Sequence, residues 1–128
     1  MILADTSIWI DHFRTPNPQM ANLLSRGEIA MHPCVVAEIA LGSMKDRQQK
    51  LWAMDLLRKV KIAQLSEVRR MIEAHALYSK GIGLTDAHLA ASCLLTPGTQ
   101  LWTRDAALMK VAASLGILFI PTSTGKPN

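Results

Sequence analysis

The sequence predicts an α/β fold in three layers, with helices covering both faces of a mainly parallel central sheet. Three observations predict it. Short apolar runs at 1–4, 29–32, 100–103 and 117–120 alternate with longer segments whose apolar residues recur at helical spacing. Glycine and proline mark the joints, as at Gly27, Gly42, Gly81 and Pro97-Gly98. The first run ends abruptly in Asp5-Thr6-Ser7, as expected of a fully buried strand that delivers a carboxylate at its C-terminal end, where open α/β sheets bind ligands.

In chain order, Ser7 is a plausible N-cap for a short helix through Ile8, Trp9 and Phe13, broken by the prolines Pro16 and Pro18. A second helix spans 18–25 and stops at Gly27; a strand follows at 29–32, with Pro33 at the turn. Val35, Val36, Ile39 and Ala40 place a helix over 34–41, with Glu38 on its flank. Asp46 starts a longer helix whose inward stripe is Trp52, Ala53, Leu56, Leu57 and Val60. Residues 61–65 fit a short strand or a loop. Ser66 then caps a helix carrying Val68, Met71, Ile72 and Ala76 inward as far as Lys80.

After the Gly81-Ile82-Gly83 loop, Thr85 caps a helix that packs through Ala87, Ala90, Ala91, Leu94 and Leu95. A strand at 100–103 leads to Asp105, which opens a helix with Leu108, Met109, Ala112 and Leu115 inward, and Gly116 ends it before the last strand. One domain over 1–120 and a loose tail over 121–128 are expected.

No apolar run approaches the roughly 18–20 residues that span a bilayer, and the N-terminus lacks a signal-peptide pattern, so the expectation is a cytoplasmic protein without membrane association. Cys34 and Cys93 stand in apolar contexts without metal-type spacing and read as free thiols. Basic residues exceed acidic ones by 14 to 10, and withdrawing four acids into one cluster leaves 14 against 6. A basic surface around an acidic pocket suits a polyanion such as nucleic acid.

Four acids carry the functional reading. Asp5 closes the first strand, Glu38 sits in a helix, Asp86 opens a helix after a glycine loop, and Asp105 follows a strand. Strand ends and helix starts of a parallel sheet face one edge, so these carboxylates can converge. Taken singly, Asp86 and Asp105 are equally explained by the preference for Asp in a helix's first turn.

The wording around the acids is more specific. Ala4-Asp5-Thr6-Ser7-Ile8-Trp9, Ala37-Glu38-Ile39-Ala40-Leu41-Gly42, Gly83-Leu84-Thr85-Asp86-Ala87-His88-Leu89-Ala90-Ala91 and Leu101-Trp102-Thr103-Arg104-Asp105 resemble, in order, the four signature stretches of PIN-domain ribonucleases. They are most similar to VapC-type toxins of bacterial toxin–antitoxin pairs. The resemblance implies a PIN-like fold in which Asp5, Glu38, Asp86 and Asp105 are catalytic and hold divalent metal, with Ser7 and Thr103 orienting them. It also implies a metal-dependent endoribonuclease acting on RNAs of translation such as tRNA and leaving 5′-phosphate and 3′-hydroxyl ends. Its expected partners are the RNA substrate, a cognate antitoxin and a second copy in a homodimer. Four clustered carboxylates cannot all ionise without a counter-charge, and an all-oxygen donor set favours Mg²⁺ or Mn²⁺ over Zn²⁺.

Arg104, Lys110, His88 and Arg14 are candidate RNA contacts, with Lys45 and Arg47 as looser ones; each is also an ordinary surface residue. Trp9 and Trp102 read as core. Trp52, with Met54 and Leu56, reads as a core stripe or else as a groove for an antitoxin segment. A small-molecule phosphohydrolase using Asp5 would call for a lysine or second acid beside the first strand, and Ala4-Asp5-Thr6 has neither. A non-catalytic RNA-binding or scaffold module with the same fold is the alternative.

Overall fold

Ile2, Leu3 and Ala4 are shielded from water on both faces, which makes β1 (Ile2–Ala4) a central strand. This computed structural model describes residues 1–122. β1 pairs in parallel with β2 (Ile29–Ala30) on one side and β3 (Gln100–Trp102) on the other, with Leu3 opposite Ala30 and Leu101. The three strands run in the order β2-β1-β3. Single parallel bridges extend the sheet at both edges, Met31 to Lys59 beyond β2 and Leu101 to Leu118 beyond β3. From β1 the chain therefore builds outward one way and then the other, so the crevice between the C-terminal ends of β1 and β3 is the topological switch point.

The connections are α1 (Thr6–Arg14), α2 (Pro18–Ser25), α3 (Pro33–Ala40) and α4 (Arg47–Asp55) on the β2 side. On the β3 side they are α5 (Leu65–Ala74), α6 (Leu84–Leu95) and α7 (Ala106–Ser114). Right-handed crossovers from a strand order that reverses at β1 put these two sets on opposite faces. The packing agrees: α1 and α4 both lie against α3, and α5 lies against α6. The fold is thus α/β with a parallel central sheet, as the sequence predicts.

The details correct several expectations. α1 is capped by Asp5 rather than Ser7, through Ile8 N–H donating to the carboxylate. α5 is capped by a box of Gln64 and Glu67 rather than by Ser66, and it ends at Ala74 rather than Lys80. Ala76 and Ser79 take left-handed backbone (φ 51° and 58°), which a helix cannot pass. α6 starts behind Gly83 rather than Thr85. It is buried nearly all round, with Leu89, Ser92 and Cys93 enclosed, whereas Leu94 and Leu95 reach the surface. On α7, Val111 takes the inward place expected of Met109.

The largest departure is α4. It stops at Asp55, so the helical stripe read through Val60 runs past its end. Only Met54 is buried on it (2% exposed), and Trp52 and Leu56 stand 67% and 65% exposed. Val60 is buried from the extended segment that follows. The pairing expected near 61–65 falls at Lys59, and the last strand is reduced to the Leu118 bridge. Of the expected loose tail, only Pro121 and Thr122 are described, and Thr122 N–H donates to Gln19 (3.1 Å); the remainder lies outside the described residues. Among the described residues, no helix is long and apolar enough to cross a membrane.

Candidate active site

β1 ends where its last peptide still belongs to the sheet, since Asp5 N–H donates to the Trp102 carbonyl (2.9 Å). The Asp5 side chain is buried at the switch point and is held from three directions. Its Oδ1 accepts from Ser7 Oγ (2.5 Å) and Ile8 N (3.1 Å), and its Oδ2 accepts from Thr103 Oγ1. Thr103 in turn accepts from the Asp105 backbone N–H (3.0 Å), so one hydroxyl ties the end of β3 to the end of β1. Asp105 caps α7, its Oδ2 accepting from Leu108 N (2.9 Å). These bonds place Ser7 and Thr103 beside Asp5.

Glu38 lies exposed on α3 and accepts from Thr6 Oγ1 (2.5 Å). Sequence reasoning gave Thr6 no role. The available signal was the pair of adjacent hydroxyls after Asp5, which in the first turn of α1 point to different acids: Ser7 back to Asp5, Thr6 across to Glu38. Asp86, half-buried in the first turn of α6, has its carboxyl pushed above the ordinary range. Burial is the main cause and the Asp5 charge the next; the Gly83 backbone N–H opposes the shift, and Asp105 and Glu38 add to it. Asp5, Asp105 and Glu38 therefore all lie within electrostatic reach of Asp86. Among the described residues, however, no three His, Cys, Asp or Glu side chains form a ready-made metal cage.

The candidate RNA contacts separate. Arg104 is spent on Asp11 (2.7 Å). Lys110 lies on α7 beside Lys80, around a depression that includes none of the four acids. Arg14 flanks a groove that has Glu38 in its wall. Arg47 is structural, its guanidinium donating to the carbonyls of Ala40 (2.6 Å) and Gly42 (3.1 Å) just past α3.

His88 is not the helix-surface residue expected if it misses the site; it turns inward against His32, ring centroids 6.2 Å apart, with its Nδ1 buried. His32 caps α3 by accepting from Cys34 N (3.0 Å) at Nδ1. Burial, then the neighbouring His88, lowers its pKa to about 4. Cys34 and Cys93 are free thiols, and burial raises both, with Cys34 raised further by Glu38.

A family model for the PIN domain matches residues 2–114 of the chain. The chain is also 38% identical over 117 residues, 91% of its length and 94% of the relative's, to Ribonuclease VapC32 of Mycobacterium tuberculosis strain CDC 1551 / Oshkosh. The same figures hold for Ribonuclease VapC32 of strain ATCC 25618 / H37Rv.

Proposed function

We propose, from the premise that the chain belongs to the PIN domain family, that it is a divalent-metal-dependent endoribonuclease whose metal is held by Asp5, Glu38, Asp86 and Asp105. The observation that supports this reading is the arrangement at the switch point, where Asp5 is buried and held by Ser7, Ile8 and Thr103, the same Thr103 hydroxyl binds the backbone of Asp105, and Asp86 lies close enough to feel the charges of Asp5, Asp105 and Glu38. The ribonuclease name of the relatives supports it.

The donor set fits a hard cation such as Mg²⁺ or Mn²⁺, being all carboxylate oxygen; the nearby Cys34 thiol is kept protonated by burial and by Glu38. When bound, the ion supplies the positive charge that lets the acids ionise together and the Lewis acidity that phosphodiester hydrolysis needs. The chain's own part is positioning. Ser7 and Thr103 fix one oxygen each of Asp5, Thr6 fixes Glu38, and the N-termini of α1 and α7 hold Asp5 and Asp105 through Ile8 and Leu108. Asp86, half-buried among like charges, is the acid whose ionisation depends most on a counter-charge.

The test is cleavage of labelled RNA by the native chain and by Asp5→Asn, first with Mg²⁺ and then with EDTA. The expected result is cutting by the native chain with metal only; equal cutting by both proteins would sink the assignment. A metal-free RNA-binding module is the second reading, favoured by the lack of a closed cage among the described residues. It predicts RNA affinity indifferent to EDTA and to all four acids.

In the cell we infer a cytoplasmic toxin that cuts an RNA of translation such as tRNA, is silenced by a cognate antitoxin and works as a homodimer. The exposed Trp52 on α4 and Leu56 just past its end support a protein partner. Sedimentation of the purified chain tests the dimer.

A further inference from the structure

The cations near the acid cluster are unevenly placed. On the β3 side Arg104 is paired with Asp11. On the α3 side, Arg14, Lys45 and Lys50 border one groove, and among the described residues none of the three is in an ion pair. Glu38, held by Thr6, lies in the groove wall and joins it to the acid cluster. The floor is apolar, with Ile10, Phe13 and Met44 along it, and Lys50 Nζ stands 5.1 Å from the centre of the Phe13 ring. Arg47 braces the Gly42 part of the lining by donating to the Ala40 and Gly42 carbonyls.

We infer that this groove is the path of single-stranded RNA on one side of the scissile bond, with a base on the apolar floor and the flanking phosphates at Arg14, Lys45 and Lys50. The inference rests on the nuclease reading above and names where its substrate lies. Charge favours RNA as the occupant: the groove presents three basic groups against the single acid Glu38. An apolar floor ringed by cations is how single strands are held without sequence reading. On the opposite side Arg104 is paired with Asp11, so an approaching phosphate there also meets a carboxylate.

The experiment measures binding of a labelled single-stranded RNA oligonucleotide to the full chain carrying Asp5→Asn, which leaves the RNA intact, from about 50 to 200 mM salt. K45A/K50A is expected to weaken binding about 10-fold and to lower the salt slope by about 1.4, since each phosphate contact on a single strand contributes about 0.7. K45R/K50R restores both. R69A/R70A, the same charge change on the exposed face of α5, is expected to weaken binding less than about 2-fold. If K45A/K50A binds no more weakly than R69A/R70A, the groove is not the RNA path. Undiminished RNA binding with lost antitoxin binding would overturn the inference in favour of a protein occupant. Cleavage by the native chain separates the two levels. If the native chain cuts RNA with Mg²⁺ but not with EDTA while K45A/K50A binds normally, the groove inference alone fails. If the native chain neither binds nor cuts RNA, the nuclease reading fails and takes the groove with it.

Discussion

Two acids and two histidines come from α3, its N-cap and α6, and the two pairs meet opposite fates. Glu38 and Asp86 reach the open edge of the sheet, where hydroxyls and backbone N–H groups leave carboxylate oxygens available to a ligand. His32, just ahead of α3, and His88, on α6, turn inward against each other, and each leaves a ring nitrogen buried without a partner. A charge at the edge can be balanced by something that binds. In the interior it has no such recourse, so burial holds His32 neutral, its pKa lowered to about 4, and the two rings serve as packing. The difference teaches that residue type says little here and position on the helix says most.

The largest effect expected is at the edge. Asp5→Asn should lower RNA cleavage by about 1000-fold, equivalent to about 4 kcal/mol of barrier, with an unchanged far-UV circular dichroism spectrum. A smaller loss would move catalysis away from Asp5.

The interior pair answers to pH instead. The unfolded His32 takes up a proton near 6.5 and the folded one near 4, so the unfolded state binds more protons between those values. Stability should therefore fall as pH drops through that window, by roughly 3 kcal/mol from this residue. Urea denaturation of the native chain and His32→Gln at successive pH values measures it; parallel curves would show that His32 is not held neutral.

Next in size is Thr103→Val, which removes the hydroxyl between Asp5 and Asp105 while keeping the side-chain volume. Loss of such a support typically costs about 10–100-fold in metal affinity or activity, read by titrating Mn²⁺ against cleavage rate. The smallest effect has the opposite sign. Asp86→Asn relieves like-charge crowding at a half-buried site. Without metal it should stabilise the fold by about 0.5–2 kcal/mol, seen as a higher melting temperature in EDTA, while cleavage is lost. A lower melting temperature would mean that the carboxylate is not crowded.

Much of this was legible in the sequence because strand ends write themselves plainly. An apolar run stopped by Asp5, and Leu101-Trp102-Thr103 followed by Asp105, locate the crevice from sequence alone. The resemblance of the stretches around the acids carried the family. Periodicity failed where tertiary packing overrode it. α4 reads as a long amphipathic helix because Trp52, Leu56 and Val60 keep helical spacing, yet Asp55 ends it and Val60 is buried from an extended strand-like segment. α6 gives a weak pattern because it is enclosed nearly all round. The adjacent hydroxyls after Asp5 hint at a second role for Thr6, but its partner Glu38 is not legible because the bond joins residues far apart in the chain across two helices.

The uneven burial of the three tryptophans has a practical consequence. Trp9 and Trp102 are sealed at 3% exposure and Trp52 stands 67% exposed, so a soluble collisional quencher should act almost solely on Trp52. The chain thus carries its own optical probe on α4: protection of that one indole from acrylamide on mixing with another protein would report contact there, without a label and independently of catalysis.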